Sequence, residues 1–361
     1  MMVDATVDAQ VARAPAPDDR LRRARAAHLW LAILLGVTAI FSLGVGATDV
    51  SLQSIGLKLV TGEPLTQMER VVLWDIRLPR LLMGIAVGAA LAVSGALMQG
   101  LFRNPLADPG LVGVSAGATL GAVGAIVLGA SLPVAVLAWT GGALVPLAAF
   151  VGAWATMVLL YRIATRRGQT SVATMLLGGI AIAALTMALV GLLIFRADDL
   201  QLRELNFWQL GSLTGSSWDK LMIAGPIILG ALLLANRLGR GLNGLALGEA
   251  TASHLGFDVQ QLKRWCVLLV AAATGAAVAV SGGIGFIGIV VPHILRLVTG
   301  PDHRTLLINA ALLGATLLIV ADMISRTIIS PAELPIGIVT AVLGGPVFLW
   351  ILLQRRNVVD L

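Results

Sequence analysis

The sequence predicts an all-α, polytopic membrane protein with about ten transmembrane helices. Only 12% of its 361 residues are charged, whereas soluble domains carry roughly 25%. Apolar residues make up 58% of the chain, and the mean hydropathy is +0.92. Because such a chain cannot cover its surface with polar groups, lipid must be the solvent for most of it.

The predicted elements begin with a tail and an anchor helix. Residues 1–26 combine a Pro/Ala-rich stretch with the basic run RLRRAR, which is typical of a disordered cytoplasmic tail. The apolar stretch that follows is longer than the roughly 7–15 residues of a signal-peptide core, so an anchor is favoured over a cleavable signal. The membrane domain is assigned to 27–355 and a short cytoplasmic tail to 356–361. The ten predicted spans are 27–47, 79–101, 111–129, 133–161, 171–195, 219–236, 265–280, 284–298, 306–327 and 336–353.

The distribution of basic residues sets the expected orientation. Most of the 25 Lys and Arg residues fall on one side of the predicted spans. The positive-inside rule therefore places that side, and both termini, in the cytoplasm. A polar stretch at 240–258 then faces the cytoplasm, whereas 196–218 and 328–335 face outward.

Glycine is frequent within the predicted spans. Pairs such as Gly84 and Gly88, or Gly117 and Gly121, are four residues apart. Small residues at this spacing let helices approach closely in lipid, so most of these glycines are interpreted as packing positions. The run GGIGFIG at 282–288 is denser than packing requires, and it predicts a short or interrupted helix.

Several function classes are excluded by what the sequence contains. The net charge of +6 comes from basic residues scattered through short loops, so nucleic-acid binding is not expected. A single cysteine rules out an intrachain disulfide and a Cys-based metal site, and the four histidines share no metal-ligand spacing. No Walker-type loop and no catalytic constellation appear, so no bound cofactor is expected and any nucleotide hydrolysis must occur on another chain.

Charged residues flank two of the predicted spans. Arg77 and Arg80 surround Pro79 at an outer helix end, where they either reach lipid headgroups or contact a partner. Asp322 and Arg326 are four residues apart and can pair on one helix face, as a structural ion pair or as a functional group.

Four long motifs occur in order and together resemble the FecCD family of membrane permeases. They are RLPRLLMGIAVGAALAVSGALMQGLFRNPLADPGLVGVSAGA, LALGEATASHLGF, GGIGFIGIVVPHILRLVTGPDHR and DMISRTIISPAELPIGIVTAVLGGPVFLWILL. The resemblance covers roughly 70–355. Such permeases serve ATP-binding-cassette (ABC) importers of haem, iron–siderophores or cobalamin.

The resemblance implies a cobalamin-permease-like, type II ABC importer fold that works as a homodimer in the bacterial inner membrane. It implies two ATP-binding cassette subunits at the cytoplasmic face, which hydrolyse ATP, and a periplasmic substrate-binding protein on the other side. The transport pathway at the dimer axis would be lined by the fifth and tenth spans, here 171–195 and 336–353.

The resemblance also implies that the cytoplasmic stretch 240–258 folds as two short helices that dock into a cleft on the ATPase. Gly248 permits a tight turn, Glu249 lies early in a helix, and Gly256 can end it. The residues expected to couple the chain to the ATPase are Leu247, Gly248, Glu249, Ala250, His254, Leu255 and Gly256.

Two further sites are implied by the same resemblance. A cytoplasmic gate would use an Asn-Pro-Leu turn and a Thr-Ser pair, which correspond to Asn104 and Leu106 and to Thr170 and Ser171. Outer arginines would pair with glutamates of the binding protein. The arginines at those positions are Arg77, Arg80 and Arg326.

The transported ligand is the least specified feature. The outer segment LNFWQLGSLTGSSW is similar to the haem branch of the family, so haem is favoured over a ferric siderophore and cobalamin. A secondary carrier that needs no ATPase is the alternative of another class. The absence of a chain of carboxylates or histidines within the predicted spans weighs against it.

Overall fold

The computed structural model describes residues 17–46, 58 and 61–359, which form a helical bundle. Helix α2 contains a π-helical stretch at Val71–Arg77, and α4 is interrupted by a 3₁₀ turn at Gly141–Ala143. A small antiparallel hairpin, β1 (Thr165–Arg166) and β2 (Gln169–Thr170), follows α4. The helices are α1 (Pro17–Gly44), α2 (Gln67–Phe102), α3 (Val114–Leu128), α4 (Val134–Ala164), α5 (Val172–Ile194), α6 (Asp199–Leu210), α7 (Trp218–Arg237), α8 (Gly239–Ala246), α9 (Glu249–His254), α10 (Val259–Ser281), α11 (Ile287–Thr299), α12 (His303–Thr327) and α13 (Ile336–Val359).

The predicted all-α membrane fold is confirmed. Among the described residues, eight helices are long and apolar enough to cross a membrane. Helix α11 and the stretch Ile336–Ile351 of α13 are shorter apolar helices. Together they lie at the positions of the ten predicted spans. Most of α2 and α10 is buried inside the chain, whereas few residues of α1, α5 and α7 are buried, as expected for helices that meet lipid or another subunit.

Glycines bring the central helices into backbone contact. A Cβ atom added at Gly88 would lie 2.4 Å from the carbonyl oxygen of Gly314, and one at Gly95 would lie 1.9 Å from that of Gly288. Helices that associate in lipid gain stability from such close packing, because no hydrophobic effect drives them together there. The interpretation of these glycines as packing positions therefore holds for α2 with α11 and α12.

The glycine-rich run at 282–288 interrupts the helical chain as predicted. Residues 282–286 are not helical, and they separate α10 from α11. Gly282 has φ +69°, and a Cβ there would lie 2.0 Å from the carbonyl oxygen of Trp208. Gly337 approaches Leu210 just as closely. The non-helical residues 282–286 thus pack between the end of α6 and the start of α13.

Parts of both predicted tails prove to be helical. Helix α1 begins at Pro17, so residues 17–26 belong to a helix and the predicted disordered tail is too long. Helix α13 continues to Val359, so residues 356–359 of the predicted C-terminal tail are helical. Both helices continue into polar residues beyond their apolar stretches, and hydropathy cannot detect such an extension. Residues 1–16 and 360–361 lie outside the described residues.

Candidate functional site

The two short helices expected between α7 and α10 are present as α8 and α9. Leu247 ends α8, and Gly248, with φ +108°, reverses the chain before α9. Helix α9 closes with a Schellman turn: the Gly256 N–H donates to Ser253 O at 3.0 Å, and the Phe257 N–H donates to Ala252 O at 3.1 Å. Gly256 has φ +86°, a conformation that favours glycine. A helix of six residues would not persist alone, so these turns stabilise it.

Packing and polar contacts anchor this coupling segment, residues 240–258, to the bundle. A Cβ added at Gly244 would lie 2.9 Å from the ring of Phe257, so the two short helices are in close contact. The Asn243 side chain donates to Asp302 Oδ1 at 2.7 Å, which ties α8 to the start of α12. Hydrogen bonds from Arg304 and Asn243 lower the pKa of Asp302 to about 2, although burial acts in the opposite direction. The Asp302 carboxylate therefore stays ionised at any physiological pH.

The exposed surface of the coupling segment is partly apolar. Leu247 is 67% exposed and Leu255 is 59% exposed, although both lie outside the membrane-spanning helices. Ala250, His254 and Gly256 are also exposed. These apolar side chains outside the membrane-spanning helices are available for burial against a protein partner.

The predicted gate residues Thr170 and Ser171 end the hairpin and begin α5. The hairpin turn uses Arg167 and Gly168, which both have positive φ, as a two-residue turn requires. Thr170 is buried, and its Oγ1 lies 3.0 Å from that of Thr165. Ser171 caps α5, because its Oγ accepts the Thr174 N–H at 3.2 Å.

The other two predicted gate residues lie on the turn after α2. Arg103 ends the helix in the left-handed conformation, and the Asn104 side chain accepts the Leu106 N–H at 3.0 Å. Asn104 is exposed and Leu106 is half-buried. Within the described residues, no hydrogen bond joins this turn to the hairpin.

A lysine that sequence reasoning did not single out connects the hairpin to the coupling segment. Lys263 is 1% exposed, and its Nζ donates to Thr170 O at 2.8 Å and to Glu249 Oε1 at 2.8 Å. From the same helix, Gln260 Oε1 accepts the Thr170 N–H at 2.9 Å. The sequence carries little signal for it, because Lys263 lies in the polar first turns of α10, after Gln260 and Gln261 and directly before Arg264.

An open cavity of about 1070 Å³ lies between the coupling segment and the hairpin. Its lining mixes polar and apolar side chains and comes from the end of α4, the hairpin, the start of α5, α9 and the start of α10. The predicted coupling and gate residues that border it are Thr170, Ser171, Glu249 and Ala250. The cavity thus brings part of each predicted site together.

The predicted docking arginines lie at the other end of the bundle. Helix α12 begins beside the coupling segment and ends at Thr327, the residue after Arg326, and its 25 residues span about 37 Å. Arg80 donates to Asp322 Oδ1 at 2.9 Å and to both oxygens of Glu333 at 2.9 Å. Arg326 lies 3.1 Å from Asp322 and donates to Ser42 Oγ at 2.9 Å. Arg77 donates to the carbonyl oxygen of Leu43 at 2.6 Å.

The single chain buries all three arginines. Arg77, Arg80 and Arg326 are between 5% and 7% exposed. Their partners come from α1, from α12 and from the loop after α12, so only the tertiary fold buries them. The predicted pairing of Asp322 with Arg326 is confirmed as a structural ion pair. We call Arg77, Arg80, Asp322, Arg326 and Glu333 together the arginine cluster.

Glu333 is the accessible edge of the arginine cluster. Its side chain is 34% exposed, and Thr214 Oγ1 donates to Glu333 Oε2 at 2.5 Å. Burial raises the pKa of Glu333, but hydrogen bonds from Arg80 and Thr214 outweigh that effect and lower it. Glu333 also borders a second cavity of about 470 Å³, together with Trp208 and Lys220. Among the described residues, no group of three His, Cys, Asp or Glu side chains could hold a metal ion.

The sequence matches the FecCD transport family over residues 34–354. The chain belongs to this family. The FecCD chain is 45% identical over 329 residues to the hemin transport system permease protein HmuU of Yersinia pestis, covering 91% of this chain and 95% of the relative. It is 42% identical to the vitamin B12 import system permease protein BtuC of Shigella boydii, over 91% and 95% of the two chains. It is 41% identical to the Fe(3+) dicitrate transport system permease protein FecD of Escherichia coli K12, over 91% and 98%.

A solved structure agrees with this assignment. An inward-facing conformation of a metal-chelate type ABC transporter has a TM-score of 0.79 to the FecCD chain at 31% identity, covering 91% of this chain and 98% of the other. The FecCD chain is therefore an ABC importer permease, and not itself an enzyme, since ATP hydrolysis belongs to separate ATPase subunits.

Proposed function

We propose that this permease moves haem across the bacterial inner membrane by alternating access at a homodimer interface. Two ATPase subunits would act at the coupling segment, and a periplasmic binding protein would deliver haem at the end that holds the arginine cluster. The observation that carries the proposal is the coupling segment itself. It is rigidly capped, it lies outside the membrane-spanning helices, and it exposes Leu247 and Leu255.

The homodimer is supported by apolar surface that the single chain leaves uncovered. Helix α5 exposes Leu177 and Leu185, and α13 exposes Val342 and Leu349. These two helices correspond to the spans expected to line the pathway. Their apolar character suits an interface or a weakly binding path better than a polar substrate site, so selection of the ligand falls to the binding protein.

The choice of haem rests on the 45% identity to the hemin permease and on the outer segment around Trp208. The vitamin B12 and ferric dicitrate relatives are only slightly less similar, at 42% and 41%. Cobalamin and a ferric siderophore therefore remain the competing ligands.

Docking of the binding protein is proposed on charge. The arginine cluster holds three guanidinium groups against two carboxylates, so its net charge is positive. Carboxylates of a binding protein would be attracted there, and such charges steer association more than they add affinity. The buried guanidinium groups would act through their field, or after Glu333 moves aside from Arg80.

The coupling role predicts loss of transport when the exposed leucine surface becomes charged. Leu255→Asp should abolish ATP-driven uptake in proteoliposomes that contain the ATPase and the binding protein, because a carboxylate cannot be buried in an apolar docking contact. Insertion and yield should not change, since Leu255 is 59% exposed in the chain alone. Leu200→Asp on α6, where the side chain is 76% exposed, is the matched control and should retain uptake. Normal uptake by Leu255→Asp, or accumulation in liposomes that hold the permease alone without nucleotide, would contradict an ATPase-driven role.

The ligand is tested by ATPase stimulation. The reconstituted complex is mixed with binding protein loaded with hemin, a ferric siderophore or cobalamin, and ATP hydrolysis is measured. Hemin-loaded protein should stimulate most. Greater stimulation by either of the other two loaded forms would leave the importer role intact and replace haem as the ligand.

A further inference from the structure

Lys263 is a charged side chain sealed inside the chain at the base of the coupling segment. It is 1% exposed, and Leu262 and Cys266 beside it on α10 are buried as well. Removing an ammonium group from water is costly unless an opposite charge and hydrogen bonds offset the loss. Packing alone would be served as well by an apolar residue of similar length, so the charge at this position has another use.

The contacts of Lys263 join two elements that no other polar contact connects directly among the described residues. Its Nζ lies 2.8 Å from Glu249 Oε1, at the start of α9, and 2.8 Å from the carbonyl oxygen of Thr170, at the end of the hairpin. With Gln260 accepting the Thr170 N–H at 2.9 Å, both backbone polar groups of Thr170 are bonded to α10. Thr170 therefore has little freedom to move independently of α10.

The residue after Thr170 extends the connection made by Lys263 to helix α5. Ser171 is the N-cap of α5, so a displacement of Thr170 is passed to the first turn of that helix. On the other side, Glu249 is the first residue of α9, whose exposed surface is the proposed ATPase contact. Hydrogen bonds to charged groups are short and strong, so a linkage through one ammonium group is stiff.

We propose that Lys263 is a positioning residue that transmits movement of the coupling segment to the hairpin and to the start of α5. The inference rests on the proposed function. It assigns to a side chain inside the membrane subunit the connection between ATPase movement and the gate. The ion pair with Glu249 passes movement of α9 to Lys263, and the hydrogen bond to Thr170 O passes it on to the hairpin.

The test uses the whole complex in proteoliposomes and measures substrate molecules transported per ATP hydrolysed. Lys263→Met keeps the apolar stem and removes the charge with both of its hydrogen bonds, so this ratio should fall by about tenfold or more. Arg264→Met, at the adjacent exposed position, is the matched control and should leave the ratio unchanged. A purely structural role would lower the yield or thermal stability of Lys263→Met without changing the ratio.

A second readout follows the gate directly. Spin labels on Arg166→Cys, an exposed hairpin position, report the distance between the two protomers, and Cys266 can stay because it is buried. In the otherwise unchanged complex this distance should shift when nucleotide binds, and in Lys263→Met it should not. A nucleotide-dependent shift of the same size in Lys263→Met would overturn the proposal.

Glu249→Ala keeps the test decisive if Lys263→Met does not fold. The Glu249 side chain is 43% exposed and Lys263 keeps its bond to Thr170 O, so the variant should fold with reduced stability, and the transport ratio should fall in the same direction. The double variant should be no worse than Lys263→Met alone, because Lys263→Met already removes the contact that Glu249→Ala breaks. An unchanged ratio in Glu249→Ala would overturn the Lys263 inference. Absence of ATP-driven transport in the unmodified complex would instead overturn the proposed function.

Discussion

Arg80→Ala is expected to destabilise the folded permease by about 3–5 kcal/mol, the cost of breaking a buried ion pair from one side. The Arg80 side chain is 9% exposed and that of Asp322 is 5% exposed, so neither charge can turn to water. The substitution would leave Asp322 with Arg326 alone and would release Glu333 from its bidentate contact. The loop that precedes α13 would lose its attachment to α2.

The measurement is the melting temperature of the purified protein in detergent, followed by size-exclusion chromatography after heating. Arg203→Ala, at an exposed position on α6, is the control and should melt with the unmodified protein. Arg80→Lys should fall between the two, since a lysine keeps the charge but cannot make the bidentate contact. Equal melting temperatures for Arg80→Ala and Arg203→Ala would refute a structural role for the arginine cluster.

Gly95→Ala is expected to prevent correct assembly of the helical bundle. The added methyl carbon would lie 1.9 Å from the carbonyl oxygen of Gly288 and 2.6 Å from its Cα, and both are backbone atoms. Helices α2 and α11 would have to separate, and overpacking of a dense interior costs about 1–3 kcal/mol or more. Because α2 lies at the centre of the bundle, the separation would spread to α10 and α12.

Gly124→Ala provides a closely matched control. Gly124 also lies within a membrane-spanning helix, but no atom outside its own helix lies within 4 Å of the added Cβ. There the change should be neutral or stabilising by up to about 1 kcal/mol, because alanine favours the helix more than glycine does. The yield of monodisperse protein and its melting temperature distinguish the two variants. Similar behaviour of both would mean that α2 and α11 are not in backbone contact.

Features encoded locally could be predicted from the sequence alone. Hydropathy located the spans, because burial in lipid demands an apolar stretch of defined length. The spacing of Gly84 and Gly88 predicted close helix packing, and the run at 282–288 predicted an interruption, because glycine permits both without help from distant residues. The resemblance to the family implied two short helices around Glu249, and the local residues agree with it, since the turns use Gly248 and Gly256.

The partners of the charged side chains depended on the tertiary structure. Arg80 meets Asp322 across 242 positions of sequence, and Lys263 meets Thr170 across 93. Nothing near Arg77, Arg80 or Arg326 in the sequence indicates that they are buried. What the sequence determined by itself was the membrane fold, the spans, the glycine contacts and the family. Only the tertiary structure decided which charged side chains are buried and which helices they connect. An ion pair depends on two residues that folding brings together, whereas hydropathy is read from a single stretch of the sequence.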